Sequence, residues 1–420
     1  MSSHEFAGPE TAFKINISDD RISLLRRKLK LATFPDEIEN AGRDYGPTLA
    51  DIKRLADRWQ NGYDWKKYEA ELNDKLPQFK RTISVDGHGE LDIHYVHQKS
   101  TSGAIPLLFV HGWPGSFFEV AKILPFLTRP EDPTTQQAFH LVALSLPGFG
   151  FSSAPKKKGF GLNQFAEVGH KLMLSLGYEQ YGEGVIFCKL HYSYLPFLVT
   201  QGGDWGAYIT KRIAILYGHK HSKAWHINYV RAAEIHNIPT GSYNTFNSAN
   251  EQENAFKSRT LWFEIEGRGY NLLQSTQPQT PGYALADSPV GLLAWIYEKL
   301  VNWSDRYLWE DDEVLNWISI YWFSAAGPAA SLRIYYERTH EVPEFTSPNP
   351  TIPLGVSLFP QELSIYPKAW LQDPNLVFTS EHKNGGHFAA HENPIGLITD
   401  LRAMFGRDGP AFGVLSGFAK

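Results

Sequence analysis

The spacing of apolar positions changes along the chain, and the changes divide it into parts. Over the first 80 residues the spacing is helical. Ser18 or Asp19 can cap a helix in which Ile22, Leu25, Leu29 and Leu31 roughly share a face, with Pro35 as its stop. Further helical stretches are expected near Thr48–Asn61 and Trp65–Asn73. Two strands follow, near Arg81–Asp86 and Leu91–His97, on either side of the turn Gly87-His88-Gly89. Then the rhythm shortens. Ile105–Val110 and His140–Leu146 are brief apolar runs of the kind found in strands buried on both faces. Leu162–Leu176 reads as a helix, Leu198–Gln201 as a third such strand and Ala207–Leu216 as the next helix. Strand, turn and helix in repetition predict an α/β protein with a mostly parallel sheet. From about Ala233 to Phe345 the strand pattern disappears and helices and loops are expected, after which Thr351–Val356 and Asn375–Thr379 resume it. A helical insertion between two sheet-forming parts predicts a lid over one end of the sheet, and ligands bind at the carboxyl ends of strands in such sheets.

Composition narrows the class. A chain of 420 residues that is 42% hydrophobic and 20% charged can bury one large core and is too apolar for a disordered protein. Forty basic against 45 acidic residues, a formal charge of -5, argue against a nucleic-acid binder. No run of 18 or more apolar residues occurs, so no membrane span is expected. Met1–Glu10 is polar and holds no apolar signal core. The single cysteine, Cys188, excludes an internal disulfide and a multi-cysteine metal site, and no H-E-x-x-H spacing occurs. With no secretion signal, a reducing cytoplasm is the default. Twelve Trp, 20 Tyr and 26 Phe hint at an apolar pocket, although core packing accounts for them equally. His219-Lys220-His221 and Glu310-Asp311-Asp312-Glu313 read as solvated surface.

The strongest chemical signal is Gly202-Gly203-Asp204-Trp205-Gly206-Ala207. Small residues flank one reactive side chain on a strand-to-helix turn, the arrangement of a nucleophile elbow, usually written G-x-S-x-G. Larger neighbours would clash in so tight a turn. Here the exposed position carries Asp instead of Ser, and a carboxylate can act as a nucleophile through an ester intermediate. The plainer reading is an Asp that caps the following helix. Gly150-Phe151-Ser152-Ser153-Ala154 is a near miss for the Ser form, but it follows a Pro-Gly break instead of a strand. His111-Gly112-Trp113-Pro114-Gly115 directly follows Ile105–Val110. A loop there can aim a backbone N–H at the top of the sheet and form an oxyanion hole with the N–H of Trp205; an ordinary Gly-Pro turn is the alternative. Gly385-Gly386-His387 follows Asn375–Thr379, where a late loop can carry a base. His391 falls in the helical turn after it. An acidic partner is expected between Asp204 and His387. Glu362 sits shortly after Thr351–Val356, and Asp373 and Glu381 compete on spacing.

In these motifs and their order the chain resembles the epoxide hydrolases of the microsomal type, including their soluble fungal members, over nearly its whole length. The resemblance rests on the N-terminal helical region and on His111-Gly112-Trp113-Pro114, Gly203-Asp204-Trp205-Gly206 and Asp287-Ser288-Pro289-Val290-Gly291-Leu292. It also rests on Phe359-Pro360-x-Glu362-Leu363 and Gly385-Gly386-His387-Phe388-Ala389-Ala390. It implies an α/β-hydrolase fold with an N-terminal extension (residues 1–100), a core (101–232 and 346–420) and a helical lid (233–345). It implies Asp204 as nucleophile, His387 as general base and Glu362 as its charge partner. Two lid tyrosines also match, Tyr270 in Glu266-Gly267-Arg268-Gly269-Tyr270 and Tyr335 in Arg333-Ile334-Tyr335-Tyr336-Glu337, where Tyr336 is the neighbouring alternative. From the residues alone, either tyrosine reads as lid packing.

The implied chemistry gives each type a reason. Phenols, with an ordinary pKa of about 10, can donate to the oxygen of an opening epoxide and stay protonated at neutral pH. Asp204 attacks a ring carbon and forms a hydroxyalkyl ester. His387 activates water against that ester while the N–H groups of Trp113 and Trp205 stabilise the oxyanion, and Glu362 holds the imidazole. The product is a vicinal diol. No metal or organic cofactor is implied. The partners are a small apolar epoxide and water, with no nucleic acid and no membrane span; a homodimer is compatible with the resemblance. Membrane-bound relatives carry an N-terminal anchor that this chain lacks, so a soluble cytoplasmic protein is expected. Trp262, Phe263, Trp295, Trp303, Trp317 and Trp322 in the lid suit an aryl-substituted epoxide and suit lid packing equally. A haloalkane dehalogenase would also use an elbow Asp, but halide release calls for N–H donors. A catalytically dead scaffold is the reading from another class.

One stretch departs from the pattern. Relatives run from a helix almost directly into the elbow strand, whereas here Gly182–Leu198, 17 residues, intervene between Tyr181 and Val199. Gly182-Glu183 can be encoded with GTGAG and Leu198-Val199 with TAG at the junction, so the segment reads as a retained intron of 51 nucleotides, three per residue. A genuine loop insertion is the alternative, either tolerated at the surface or shifting the strand register and misplacing Asp204. The intron reading predicts transcript reads with a splice junction at Tyr181/Val199. Uniform reads through the segment would establish a true insertion.

Overall fold

The unbroken apolar run Ile105–Val110 forms a strand buried from Pro106 onward, and a sheet extends from it on both sides. In the computed structural model, which describes residues 7–100, 103–178, 198–230, 250–341 and 349–412, that sheet has nine strands. They are β1 (Thr11–Phe13), β2 (Gln78–Val85), β3 (Gly89–Gln98), β4 (Ile105–Val110) and β5 (Phe139–Leu144), then β6 (Leu198–Gly202), β7 (Ser222–Ile227), β8 (Leu354–Leu358) and β9 (Leu376–Glu381). Across the sheet the order is β1-β2-β3-β5-β4-β6-β7-β8-β9. The pairings from β1 to β5 are antiparallel and those from β5 to β9 parallel. This is the α/β-hydrolase fold with the mostly parallel sheet expected. After β4 the chain turns toward one edge of the sheet and after β6 toward the other. That divergence of adjacent strands opens a crevice at their carboxyl ends.

Two strands leave little trace in the pattern. β1 is a three-residue edge strand, too short to show a period. β7 reads Ser-Lys-Ala-Trp-His-Ile, so polar residues interrupt its apolar run. Its buried His226 is accommodated by a contact between Nε2 and Ser357 Oγ of β8 at 2.9 Å. Of Gly182–Leu198 only Leu198 lies within the described residues, as the first residue of β6. Val199–Gly202 pair without slip against Leu107–Val110, and the irregularity in the pairing with β7 is confined to Leu198/Val199. The strand that leads to Asp204 keeps its register.

The N-terminal helices are α1 (Asp19–Lys30), α2 (Leu49–Asp57) and α3 (Trp65–Lys75). Ser18, Thr48 and Asp64 cap them by accepting a backbone N–H three residues on. α1 buries Leu25 and Leu29, but Leu31 is 79% exposed. The helix ends at Lys30, before Pro35, and Leu31 at its C-cap leaves the helical face. In the core, α4 (Leu124–Thr128), α5 (Leu162–Ser175) and α6 (Trp205–Tyr217) flank the parallel strands.

The lid comprises, among the described residues, α7 (Glu251–Trp262), α8 (Gly269–Thr276), α9 (Gln279–Asp287), α10 (Pro289–Asn302), α11 (Asp311–Trp322) and α12 (Arg333–Thr339). The N-terminal helices pack on it. The Trp59 ring meets Trp322 edge-on at 6.4 Å, Trp65 meets Phe323 at 5.0 Å, and the Tyr63 hydroxyl donates to Asn316 Oδ1 at 2.8 Å. The acidic run Glu310–Glu313 therefore is not simply solvated surface. It opens α11, where negative charge suits a helix N-terminus. Asp311 pairs with Arg54, Asp312 with Arg58, and Glu313 accepts from the Tyr307 hydroxyl. His219 and Lys220 are exposed as expected.

Trp59 is 1% exposed between the extension and the lid. Trp59→Ala is expected to cost about 3–5 kcal/mol, read as a lowered midpoint in chemical denaturation. An unchanged midpoint would mean that the extension does not brace the lid.

Candidate active site

Asp204 stands between β6 and α6 at φ 49° and ψ −125°, a conformation that costs an L-residue energy and persists only where its surroundings impose it. They do so by close approach. A Cβ on Gly206 would lie 1.8 Å from the Val110 carbonyl oxygen, so the first turn of α6 sits hard against the end of β4. The carboxylate occupies the N-cap position but makes no cap bond. Oδ1 instead accepts the backbone N–H of Trp113 at 2.7 Å. The plain helix-capping reading therefore fails. Trp205, the first residue of α6, has no acceptor for its N–H within the helix.

His387 follows β9 and is buried. Its Nε2 lies 3.4 Å from Asp204 Oδ2, and its Nδ1 lies 2.5 Å from Glu362 Oε1. Burial alone would push the imidazole down. The charge of Glu362, aided by Asp204, outweighs it and holds His387 up at about 10. Glu362 follows β8, and Arg259 of α7 fixes its strand-end loop by donating to the carbonyls of Gln361 and Glu362. The competing acids stand elsewhere: Asp373 accepts from Asn375 N at a turn before β9, and Glu381 is exposed. His391, in α13 (Ala389–Glu392), is spoken for by Glu313, with Nε2 at 2.7 Å from Oε1 and its ring stacked on Trp309. Ser152 holds the backbone around Ser145 and His94 together.

Tyr270 is in the first turn of α8 and Tyr335 on α12; both are buried. Tyr270 stacks on Trp113 at 5.1 Å, Tyr335 meets Trp205 edge-on at 4.7 Å, and the two phenol rings lie 5.8 Å apart. The Tyr335 hydroxyl is buried and completes no well-aligned hydrogen bond among the described residues. Burial, then Tyr270 and the Asp204 charge, keep its pKa well above the ordinary phenol value. Tyr336 turns the other way, stacked on His340 at 4.0 Å. Of the lid aromatics, Trp303 reaches the site, its ring 4.9 Å from that of His387 and 6.1 Å from that of Trp113. Trp317 and Trp322 serve packing, Trp317 by donating Nε1–H to the Pro114 carbonyl at 2.6 Å.

Sequence reasoning missed the residues that hold this assembly together. The His387 N–H donates to the Trp303 carbonyl at 2.9 Å, and the Gly385 N–H to Asp305 Oδ2 at 2.9 Å. Glu392 accepts the N–H groups of Asp305 and Phe388 at 2.8 and 2.9 Å. The lid segment at 303–305 is thus stitched to the histidine loop. Lys299 of α10 buries its ammonium 4.8 Å from the Tyr270 ring centre. No local motif announces any of these, because each also acts on a residue dozens of positions away in sequence. Among the described residues, no three His, Cys, Asp or Glu are grouped so as to hold a metal ion, and no helix is long and apolar enough to cross a membrane.

Comparisons with known proteins bear on the family and the fold. The family described as epoxide hydrolase N terminus matches residues 10–120, and the alpha/beta hydrolase fold family matches residues 105–182. The chain is 34% identical over 427 residues to epoxide hydrolase 1 of Sus scrofa, with 94% of this chain and 88% of that protein covered. It is 32% identical over 417 residues to juvenile hormone epoxide hydrolase 1 of Ctenocephalides felis, with 93% and 84% covered. The solved structure of the Aspergillus niger epoxide hydrolase superposes with a TM-score of 0.78 at 31% identity, covering 96% of this chain and 98% of that one.

The contact of Gly206 with Val110 makes a direct test of the elbow. Gly206→Ala should shift Asp204 against Trp113 and His387 and reduce turnover by on the order of 10²-fold, in a protein whose circular dichroism is unchanged. Full activity would show that the elbow tolerates a side chain there.

Proposed function

The chain belongs to the epoxide hydrolase family, and on that premise we propose that it converts epoxides to vicinal diols through an ester of Asp204, with Tyr270 and Tyr335 activating the epoxide oxygen. The observation that carries the mechanism is one alignment. A carboxylate held by Trp113 N–H and His387, with Glu362 behind the imidazole, is flanked by Trp113 and Trp205, on whose rings two buried phenols pack. Oδ1 is engaged by the Trp113 N–H and Oδ2 faces His387 Nε2 at 3.4 Å, so Oδ2, which has no backbone donor, is assigned the attack. It bonds to one epoxide carbon as the ring C–O bond breaks, and the ring oxygen leaves as an alkoxide that takes a proton from a lid phenol. The high pKa of Tyr335 supports this role: the phenol stays protonated until an alkoxide, a stronger base, forms beside it.

The ester is then cleaved by water with His387 as base, and the Trp113 N–H already placed on Oδ1 supports its use against the tetrahedral oxyanion. The Trp205 N–H is the second donor of this proposal. The rings of Trp113, Trp205 and Trp303 around Asp204 favour a small apolar epoxide as substrate. Phenols above the nucleophile, where halide release would call for N–H donors, weigh against dehalogenation.

The test is diol formation from a racemic aryl epoxide, with intact-protein mass as the second readout. Asp204→Asn should abolish turnover. His387→Gln should form the ester and stall, gaining the mass of one epoxide. Tyr335→Phe and Tyr270→Phe should each slow ring opening by on the order of 10²-fold, while Tyr336→Phe should leave it unchanged. A His387→Gln protein that turns over epoxide and never gains mass would sink the ester mechanism.

A further inference from the structure

One carboxyl at the site, on a half-buried residue, has no part in the reaction described so far. Glu119 lies in the 3₁₀ turn Phe117–Lys122, just beyond the His111–Ser116 loop. It lines the same cavity as Asp204, His387, Gly115 and Asn228, of about 10 Å³, room for about one water. Its carboxyl lies directly over Gly115: a Cβ there would come 1.8 Å from Glu119 Oε1, so the missing side chain provides the space the carboxyl fills. The Gly115 carbonyl in turn accepts the Tyr321 hydroxyl at 2.6 Å, which pins the loop from the lid side. Burial pushes Glu119 up to about 8, against the pull of the His387 charge. It is therefore mostly neutral at pH 7, in the same cavity as the Asp204 carboxyl.

We propose that Glu119 holds the water that hydrolyses the Asp204 ester, its carbonyl oxygen accepting one water hydrogen while His387 Nε2 takes the other. The assignment rests on the ester reading above. On attack, the water oxygen bonds to Asp204 Cγ, a proton passes to His387 Nε2, and the carbonyl electron pair moves onto Oδ1 beside the Trp113 N–H. Collapse breaks the bond between Cγ and Oδ2. Oδ2 leaves with the substrate carbon and takes from His387 the proton that ring accepted, as the new hydroxyl of the diol; the second water proton restores the lid phenol that gave its own to the alkoxide, and the water oxygen remains in the Asp204 carboxylate. Glu119 donates no proton. A neutral carboxyl suits the place, because a charged one would oppose the oxyanion forming on Asp204. With water hydrogens directed to Glu119 and His387, a lone pair faces Cγ, and orientation of this kind is worth orders of magnitude in rate.

The test separates the two half-reactions. Rapid-quench mass spectrometry of the full chain follows ester formation and ester decay with an aryl epoxide. Glu119→Leu should form the ester at a near-normal rate and hydrolyse it more slowly by on the order of 10²-fold, so that ester accumulates. Glu119→Gln keeps a carbonyl acceptor of the same reach and should restore hydrolysis. It should also remove the fall in hydrolysis rate expected above about pH 8 in the native chain, where Glu119 ionises. If ester forms and decays normally in Glu119→Leu, the assignment is overturned and the ester mechanism stands. If both half-reactions fall together and Gln restores neither, the residue is structural and the assignment is overturned. If no ester appears even in His387→Gln, the ester mechanism fails and takes the assignment with it. Should Glu119→Leu not fold, the pH profile of Glu119→Gln decides alone, an alkaline fall that persists in it counting against Glu119.

Discussion

The structure depends on one cation buried between two carboxylates. His387 is 5% exposed, with Glu362 at 2.5 Å on one ring nitrogen and Asp204 at 3.4 Å on the other. A charged imidazole in that position is stable only while both partners stay in place, since an unpaired buried charge costs several kcal/mol. The three residues follow three different strands, so the sheet must hold its register from β6 to β9 for the charges to meet. It does: the parallel pairings run β6-β7-β8-β9, and the irregularities lie at strand beginnings, away from the carboxyl ends where the site is built.

The lid answers the same constraint from above. It covers the site and also grips the histidine loop directly. The Trp303 carbonyl takes the His387 N–H, Asp305 takes the Gly385 N–H, and Glu392 returns the bond to Asp305. Through Trp59, Trp65 and the ion pairs of Arg54 and Arg58, the N-terminal helices hold the lid down in turn. The extension is thus mechanically linked to His387, although none of its described residues lines the cavity at Asp204.

How much of this could be read beforehand follows from range. The elbow, the loop after β4 and the Gly-Gly-His turn are local motifs whose backbone demands write themselves into neighbouring residues, so Asp204, Trp113 and His387 were legible. Glu362 was one of three candidates until the fold placed it on Nδ1. Tyr270 and Tyr335 were legible only through family resemblance, because a phenol in an aromatic lid has no sequence signature of its own. β7 was hidden because a strand buried in a parallel sheet can keep a histidine if a neighbour satisfies it, as Ser357 does for His226. Asp305, Glu392, Lys299 and Glu119 were invisible because the contacts that tie them to the site, with Gly385, Asp305, Tyr270 and the cavity at Asp204, join residues dozens of positions apart.

The buried cation also has a consequence for the order of events. In the free protein His387, held at about 10, carries its proton, which suits an ion pair with a nucleophilic carboxylate but not a base. In the proposed mechanism, esterification would remove the charge of Asp204. Two unit charges 3.4 Å apart attract by about 5 kcal/mol at an effective dielectric of about 20. Moving a base from about 10 to about 7 takes only about 4 kcal/mol. On the proposed mechanism, loss of that one partner lowers the proton affinity of His387 and favours its action as a base, while Glu362 keeps the ring in place. On this argument the first half-reaction itself switches on the second. In the proposed mechanism the same event would leave a neutral ester in one cavity with a mostly neutral Glu119, so the cavity would hold its least negative charge when the oxyanion forms.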